Sequence, residues 1–216
     1  MKKVIKTVCV AIGWLLSFVW PPFFEQFFES VLAYIHTGLL SRRCKSWGRY
    51  SNIAWGGRIT NPQFVSVGKE NIFLRNTVIS ATPALFGKDP VIEIGDGCRF
   101  GERNHITAVN RITIGSHLLT GSYVLISDNA HGSSSTDMLN IPPLERPLVS
   151  KGEVHIGDNV WIGDKACILA GVQIGNNVII GANSVVTKDV PDNCVAAGIP
   201  AKVIKTFCSD NGQNIQ

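Results

Sequence analysis

The sequence is short of charge, of paired cysteines and of paired histidines. Only 17% of its 216 residues are Asp, Glu, Lys or Arg, and the formal net charge is +4. That is too mild for the concentrated basic face a nucleic-acid binder needs, so no nucleic-acid partner is expected. Cysteines stand at 9, 44, 98, 167, 194 and 208, and no two form a Cys-x-x-Cys pair. The zinc-ribbon and dithiol readings lose their main support, and a reduced, cytosolic setting is expected. No His-x4-His pair occurs, so a coil-borne histidine zinc site is not expected and no metal is assigned. Residues 1–49 carry no Gly-rich strand–helix pattern that would cradle a nucleotide. No small-x-small cleavage site follows the apolar N-terminal run, and Trp20-Pro21-Pro22 is a poor substitute. The run is therefore expected to stay on the chain.

What the sequence does have is a period of six. Ile156, Ile162, Ile168, Ile174, Ile180 and Val186 are all aliphatic, and Gly157, Gly163, Gly175 and Gly181 follow four of them. Four residues after each aliphatic come Val160, Ala166, Val172, Val178, Ser184 and Val190, all small or β-branched. Six fits neither an amphipathic helix nor a plain alternating strand; it fits strand, turn and strand again. Three hexads would close a triangular coil, and stacked coils would pair as parallel strands about 4.8 Å apart. The aliphatics would fill the interior, the small residues would sit near corners, and the glycines would ease the turns.

The same register runs through Ile53, Ile59 and Val65, then Val67, Phe73, Ile79 and Leu85. It continues as Ile94, Phe100, Ile106 and Ile112, then Ile114, Thr120 and Ile126. The two-residue slips read as longer corners, and Phe86 to Pro90 as a short inserted loop. Residues 127–153, with Ser133-Ser134-Ser135, Pro142-Pro143 and Pro147, break the period; an insertion this long in a compact domain is expected to be functional. Ile199-Pro200 to Phe207 would cap the coil stack, and 208–216 is a polar tail.

Residues 1–49 differ. Val4 to Trp20 is apolar except for Lys6 and neutral Thr, Gly and Ser, and Pro21-Pro22 ends it. Phe24, Phe27, Phe28, Val31, Leu32 and Ile35 then recur at helical spacing, with Glu25, Glu29 and His36 among them. Lys2, Lys3 and Lys6 precede the run; Arg42, Arg43, Lys45 and Arg49 follow it. The expectation is a membrane-dipping helical hairpin with both ends on the cytoplasmic side, making the protein peripheral or monotopic on the inner membrane. The alternative is a helical pair packed on the oligomer.

His131 lies near the start of the long insertion, in Asp128-x-x-His131-Gly132. An imidazole there is suited to take a proton from a hydroxyl at neutral pH. Asp128 would orient its ring or merely start the loop as an Asx turn. His105, His117 and His155 fall beside hexad starts and are expected to face solvent; His36 sits in the apolar segment.

Three segments, Ile156-Gly-Asp-Asn-Val-Trp-Ile-Gly163, Ile180-Gly-Ala-Asn-Ser-Val-Val-Thr-Lys-Asp189 and Ala197-Gly-Ile-Pro-Ala-Lys202, resemble the hexapeptide-repeat acyltransferases. The likeness is to their maltose, galactoside and polysaccharide O-acetyltransferase branch and covers Val65 to Phe207. It implies an all-β fold, a left-handed parallel β-helix over 50–207, assembled as a homotrimer. It implies transfer of an acetyl group from acetyl-CoA to a carbohydrate hydroxyl, on a surface polysaccharide, O-antigen or lipid-linked glycan precursor. His131 would be the general base in a direct transfer, and Asn104 would help hold the acceptor. Trp161, Gly163, Asp164, Ala182, Thr187, Lys188, Lys202 and Lys205 would line the coenzyme A groove between two subunits, with a backbone N–H near Gly163 and Asp164 polarising the thioester. Relatives carry Ser where this chain has Asp164, and some have Arg where it has Lys202 and Lys205. The rival readings are a xenobiotic O-acetyltransferase, an amino-sugar N-acetyltransferase and a non-catalytic β-helix scaffold.

Overall fold

The computed structural model describes residues 2–18, 22–83, 89–133 and 135–207. From Ser46 onward the chain winds through three parallel sheets, here called faces A, B and C. One coil runs Arg111–Ile114 on face A, Leu119–Thr120 on face B and Leu125–Ser127 on face C. The next coil places Val154–Ile156, Trp161–Ile162 and Cys167–Ile168 directly beside them, with Ile114 against Ile156, Thr120 against Ile162 and Ile126 against Ile168.

The hexad explains this stacking. Val160 and Ile162 point in and Trp161 points out, because neighbouring strand residues alternate faces. Both the hexad aliphatics and the residues four later are buried: Ile156, Ile162, Ile168 and Ile174 are fully covered, as are Ala166 and Ser184. The small residues thus line the interior beside the aliphatics. Phe73 and Phe100 stack at 4.6 Å between ring centroids in the earlier coils.

The glycines have a different cause from the expected one. Asn159, Lys165, Asn177 and Asn183, two positions after the hexad glycines, are left-handed corner residues, as is Gly171 two positions after Leu169. Gly157 and Gly163 do not carry a positive φ. They are required because the next coil passes too close: a Cβ on Gly163 would lie 2.5 Å from the Ala182 nitrogen, and one on Gly157 would lie 2.8 Å from the Gly175 carbonyl carbon. At the A–B corner, side chains form their own ladder. The Asp158 carboxylate takes the Ser116 N–H at 2.6 Å, the Asn176 oxygen takes the Asp158 N–H at 2.8 Å, and Asp192 takes the Asn176 N–H at 2.7 Å. Each corner holds the one before it in register.

The two ends of the stack are closed differently. At the C-terminal end Ala201–Thr206 folds back antiparallel on Cys194–Gly198. At the N-terminal end a helix does the closing. Helix α1 spans Lys2–Ser17 and helix α2 spans Pro22–Ser41. Ala33 and Thr37 of α2 are buried against the first face-B strand, Asn52–Ile53, and Leu40 packs on the core. Helix α1 has no buried residue. The first coil strand, Ser46–Trp47, pairs with Ser66 and Val67, so the coils begin before residue 50 rather than at it. The expected Phe86–Pro90 loop and the 208–216 tail fall wholly or largely outside the described residues. Among the described residues, no helix is long and apolar enough to cross a membrane.

Candidate active site

The 127–153 insertion leaves the stack at the C–A corner, opposite face B. It is organised by a short antiparallel ladder, Ala130–His131 against Leu148–Val149, with the pair His131 and Leu148 in register. The Gly132 N–H donates to the Pro147 carbonyl at 2.9 Å, and the Arg146 Nε donates to the Ile141 carbonyl at 2.8 Å. His131 is exposed on this ladder. Beside it opens a cleft of about 450 Å³, walled by Ala130, Gly132, Ser133, Val149, Ser150 and Lys151 from the insertion and by Leu169, Ala170 and Thr187 from the two following coils. Of these walls the sequence singles out Thr187 but not Lys151, Leu169 or Ala170; His131, between Ala130 and Gly132, is not itself a wall residue. Leu169 and Ala170 could have been found by counting on from Ile168 to the C–A corner; Lys151 lies in the aperiodic insertion, where no count reaches.

Asp128 is fully buried and does not serve His131. One of its carboxylate oxygens accepts the Val109 N–H at 2.8 Å, and the other accepts the Asn110 N–H at 2.9 Å. It pins the C–A corner of the previous coil. Asn129 adds to this by donating from its side chain to the Thr107 carbonyl at 3.0 Å. The hairpin carrying His131 therefore starts from a fixed point.

Asn104 is also turned inward, 2% exposed. Its Oδ1 accepts the Val124 N–H at 2.8 Å and its Nδ2 donates to the Thr120 hydroxyl. Both ends of the amide are engaged inside the coil. The expected acceptor-holding role therefore lacks a free group in this chain, and Asn104 is corrected to a corner-pinning residue. The residue that faces outward beside it is His105, on strand His105–Ala108 between Val78 and Leu125. Its partial burial lowers its pKa below the usual 6.5, favouring the neutral ring. Burial pushes the Cys44 thiol up to about 11 and raises that of Cys98 as well, so neither is a ready nucleophile for an acyl-enzyme.

The donor-side residues divide between two places. Trp161 is half exposed on face B, flanked by Leu119 and Ile179. Gly163, Asp164 and Ala182 follow at the B–C corner, on successive coils, and Gly163 packs against Ala182. The Gly163 N–H donates to the Ile180 carbonyl at 2.8 Å, and the Asp164 carboxylate accepts the Ser122 N–H at 2.7 Å. The Gly163 amide is therefore not free to polarise a thioester, and the Asp164 side chain is a ladder rung. Lys202 and Lys205 stand exposed on the fold-back strand, with Lys205 Nζ 5.1 Å from the Phe207 ring centroid. Thr187 and Lys188 are exposed near the C–A corner. Among the described residues, no group of three His, Cys, Asp or Glu side chains is placed to hold a metal ion. One chain thus carries His131 on the hairpin beside a cleft at the C–A corner and an apolar, lysine-edged strip on face B, separated by the body of the coil.

Comparison with known proteins places this architecture. Residues 153–188 match the family model described as bacterial transferase hexapeptide (six repeats). The chain is 43% identical over 126 residues to WbbJ of Escherichia coli (strain K12), a protein named for O-acetyl transfer in lipopolysaccharide biosynthesis; the match covers 56% of this chain and 63% of that one. It is 38% identical over 130 residues to the galactoside O-acetyltransferase of the same organism, covering 57% and 58%. The match therefore spans less than two thirds of either relative's length. Among solved structures, AntD, an N-acyltransferase from Bacillus cereus in complex with dTDP and 3-hydroxybutyryl-CoA, superposes with a TM-score of 0.69 at 21% identity, over 81% of this chain and 89% of that one. A hexapeptide-repeat containing acetyltransferase from Vibrio cholerae, complexed with acetyl coenzyme A, superposes with a TM-score of 0.55 at 21% identity, over 80% and 76%. The fold is the left-handed parallel β-helix. The repeat segment matches the hexapeptide-repeat transferases, and the resemblance to their O-acetyltransferase branch is supported by these two relatives.

Proposed function

We propose that this chain transfers an acetyl group from acetyl-CoA to a hydroxyl of a carbohydrate, with His131 as general base and without a metal. The observation that carries the reading is an exposed His131 held on an ordered hairpin, between Ala130 and Gly132 of a cleft wall, in a chain whose relatives are named for O-acetyl transfer. In this reading the imidazole takes the hydroxyl proton as the sugar oxygen attacks the thioester carbonyl carbon. The C–S bond breaks, and the departing sulfur recovers the proton from the imidazolium. No acyl-enzyme is needed, since His131 activates the acceptor directly.

The chain is proposed to work as a homotrimer. One chain puts His131 at the C–A corner and Trp161 on face B. A site built between copies would join the two. Mixing His131→Ala chains with Trp161→Ala chains then restores activity in the hybrids; two inactive parents that stay inactive when co-assembled contradict a shared site.

The activity is tested by incubating the purified full chain with acetyl-CoA and a panel of glycans and amino sugars. Thiol release accompanied by a base-labile ester on the glycan is the expected result. An amide product alone, or no product with any glycan, overturns the carbohydrate O-acetyl reading.

A further inference from the structure

We infer that α1, together with the outward side of α2, is a docking surface for a lipid bilayer with anionic headgroups. In this arrangement the coil stack stands with its first coil toward the membrane. The first observation is that, among the described residues, no side chain of α1 is buried. Val4, Val8, Val10, Ile12, Trp14, Leu15 and Phe18 are each between 50% and 72% exposed, and no residue of the helix is buried. Placed at 100° per residue, Val4, Ile5, Val8, Ile12, Leu15 and Leu16 fall in one unbroken apolar arc of about half the circumference. Lys2, Lys6, Gly13 and Ser17 lie opposite, and Lys3 and Thr7 alternate with Val10 and Trp14 at its edge. A second copy of the chain would hide one stripe of such a helix; lipid covers the whole apolar arc and leaves the lysine-bearing side to the headgroups.

Length decides the mode. Sixteen residues make a helix of about 24 Å, short of a hydrocarbon core of about 30 Å. An in-plane helix sunk into one leaflet fits that length and the one-sided polar sector. Helix α2 transmits the attachment. Its Ala33, Thr37 and Leu40 side rests on the first coil, while Leu32, Tyr34, Ile35 and Leu39 remain exposed. Charge points the same way. Residues 1–49 hold Lys2, Lys3, Lys6, Arg42, Arg43, Lys45 and Arg49 against Glu25 and Glu29, and Glu29 is paired with Arg75. Cations before and after the apolar helical stretch fit anionic lipid, each cation near the surface adding about 1 kcal/mol.

The test is flotation of the full chain with phosphatidylcholine vesicles and with vesicles also containing phosphatidylglycerol, at low and at molar salt. The wild type is expected to float with both, more tightly with phosphatidylglycerol, and to stay bound at molar salt because apolar burial holds it. The double variant Ile12→Glu, Leu15→Glu is expected to lose binding by at least about tenfold, with an unchanged melting temperature because neither side chain touches the core. A wild type left in the dense fraction overturns the inference, as does a double variant that floats equally well. A double variant whose only defect is loss of oligomer mass shows that α1 packs on other copies instead, and also overturns it. None of these readouts depends on acetyl transfer.

Discussion

The Thr37 hydroxyl on α2 accepts the N–H of Ile53 at 2.9 Å. Asn52 and Ala54, on either side, donate to the second coil, at 2.8 and 2.9 Å, so the Ile53 N–H points back to where no earlier coil exists. An exposed sheet edge of this kind is a template for unwanted pairing. Here Thr37, reinforced by the His36 ring 3.1 Å from the Ala54 carbonyl, stands in for the missing strand. The helical segment is therefore part of the coil fold as well as a separate appendage.

Replacing that hydroxyl with a methyl group tests the role. Thr37→Val leaves a buried N–H without a partner at nearly constant volume. A loss of roughly 1–3 kcal/mol in urea unfolding is expected. A loss below about 0.3 kcal/mol would mean that water reaches the edge freely.

Gly163→Ala is expected to destabilise by about 1–3 kcal/mol, because its methyl would press on backbone rather than on a yielding side chain. Gly13→Ala in α1, with nothing within 4 Å, serves as the control and is expected to be neutral or mildly stabilising. Equal melting temperatures for the two variants would contradict the close-approach account.

Asp128→Asn separates a structural carboxylate from a catalytic one. The amide can accept at one position only, so the Val109 or Asn110 N–H loses its partner. The expected outcome is a lower melting temperature with turnover of the folded fraction within about threefold of wild type. A hundredfold fall in turnover at unchanged stability would restore the ring-orienting role.

His105 gives a pH signature. Its folded pKa lies below its unfolded value of 6.5, so the unfolded chain binds the proton more readily. Its contribution to stability is therefore intact above about pH 6.5 and is lost as pH falls through the folded pKa. His105→Gln is expected to flatten that part of the melting-temperature profile between pH 7 and pH 5, modestly, since the ring keeps solvent on one side. A profile identical to wild type would assign the acid sensitivity to other groups.

The coil architecture is legible because the repeat is a covalent fact of the sequence: among the described residues the hexad aliphatics fall on inward positions, Ile59 only partly covered, and one period sets all three faces. What the hexad could not say was how its other residues are used. Gly157 and Gly163 answer to a neighbouring coil eighteen residues away in sequence (Gly175 and Gly181) rather than to their own φ. Asn104 and Asp128 are polar residues whose partners, Thr120 and the amides of Val109, Asn110 and Val124, are set by stacking, so a local reading sees a ligand where the fold uses a rivet. The reverse holds for Lys151, Leu169 and Ala170, which look like loop and corner residues until the hairpin folds over them. Helix α2 was visible as a helix, but its docking through Ala33 and Thr37 was not, since a small residue and a hydroxyl give no apolar signal.

The most direct measurement is steady-state acetyl transfer by His131→Ala, with acetyl-CoA affinity and melting temperature taken on the same sample. The account predicts turnover lowered by about a hundredfold or more, with donor affinity and fold unchanged, because His131 is exposed on its hairpin and supports nothing around it. Near-normal turnover in that variant would contradict the central claim.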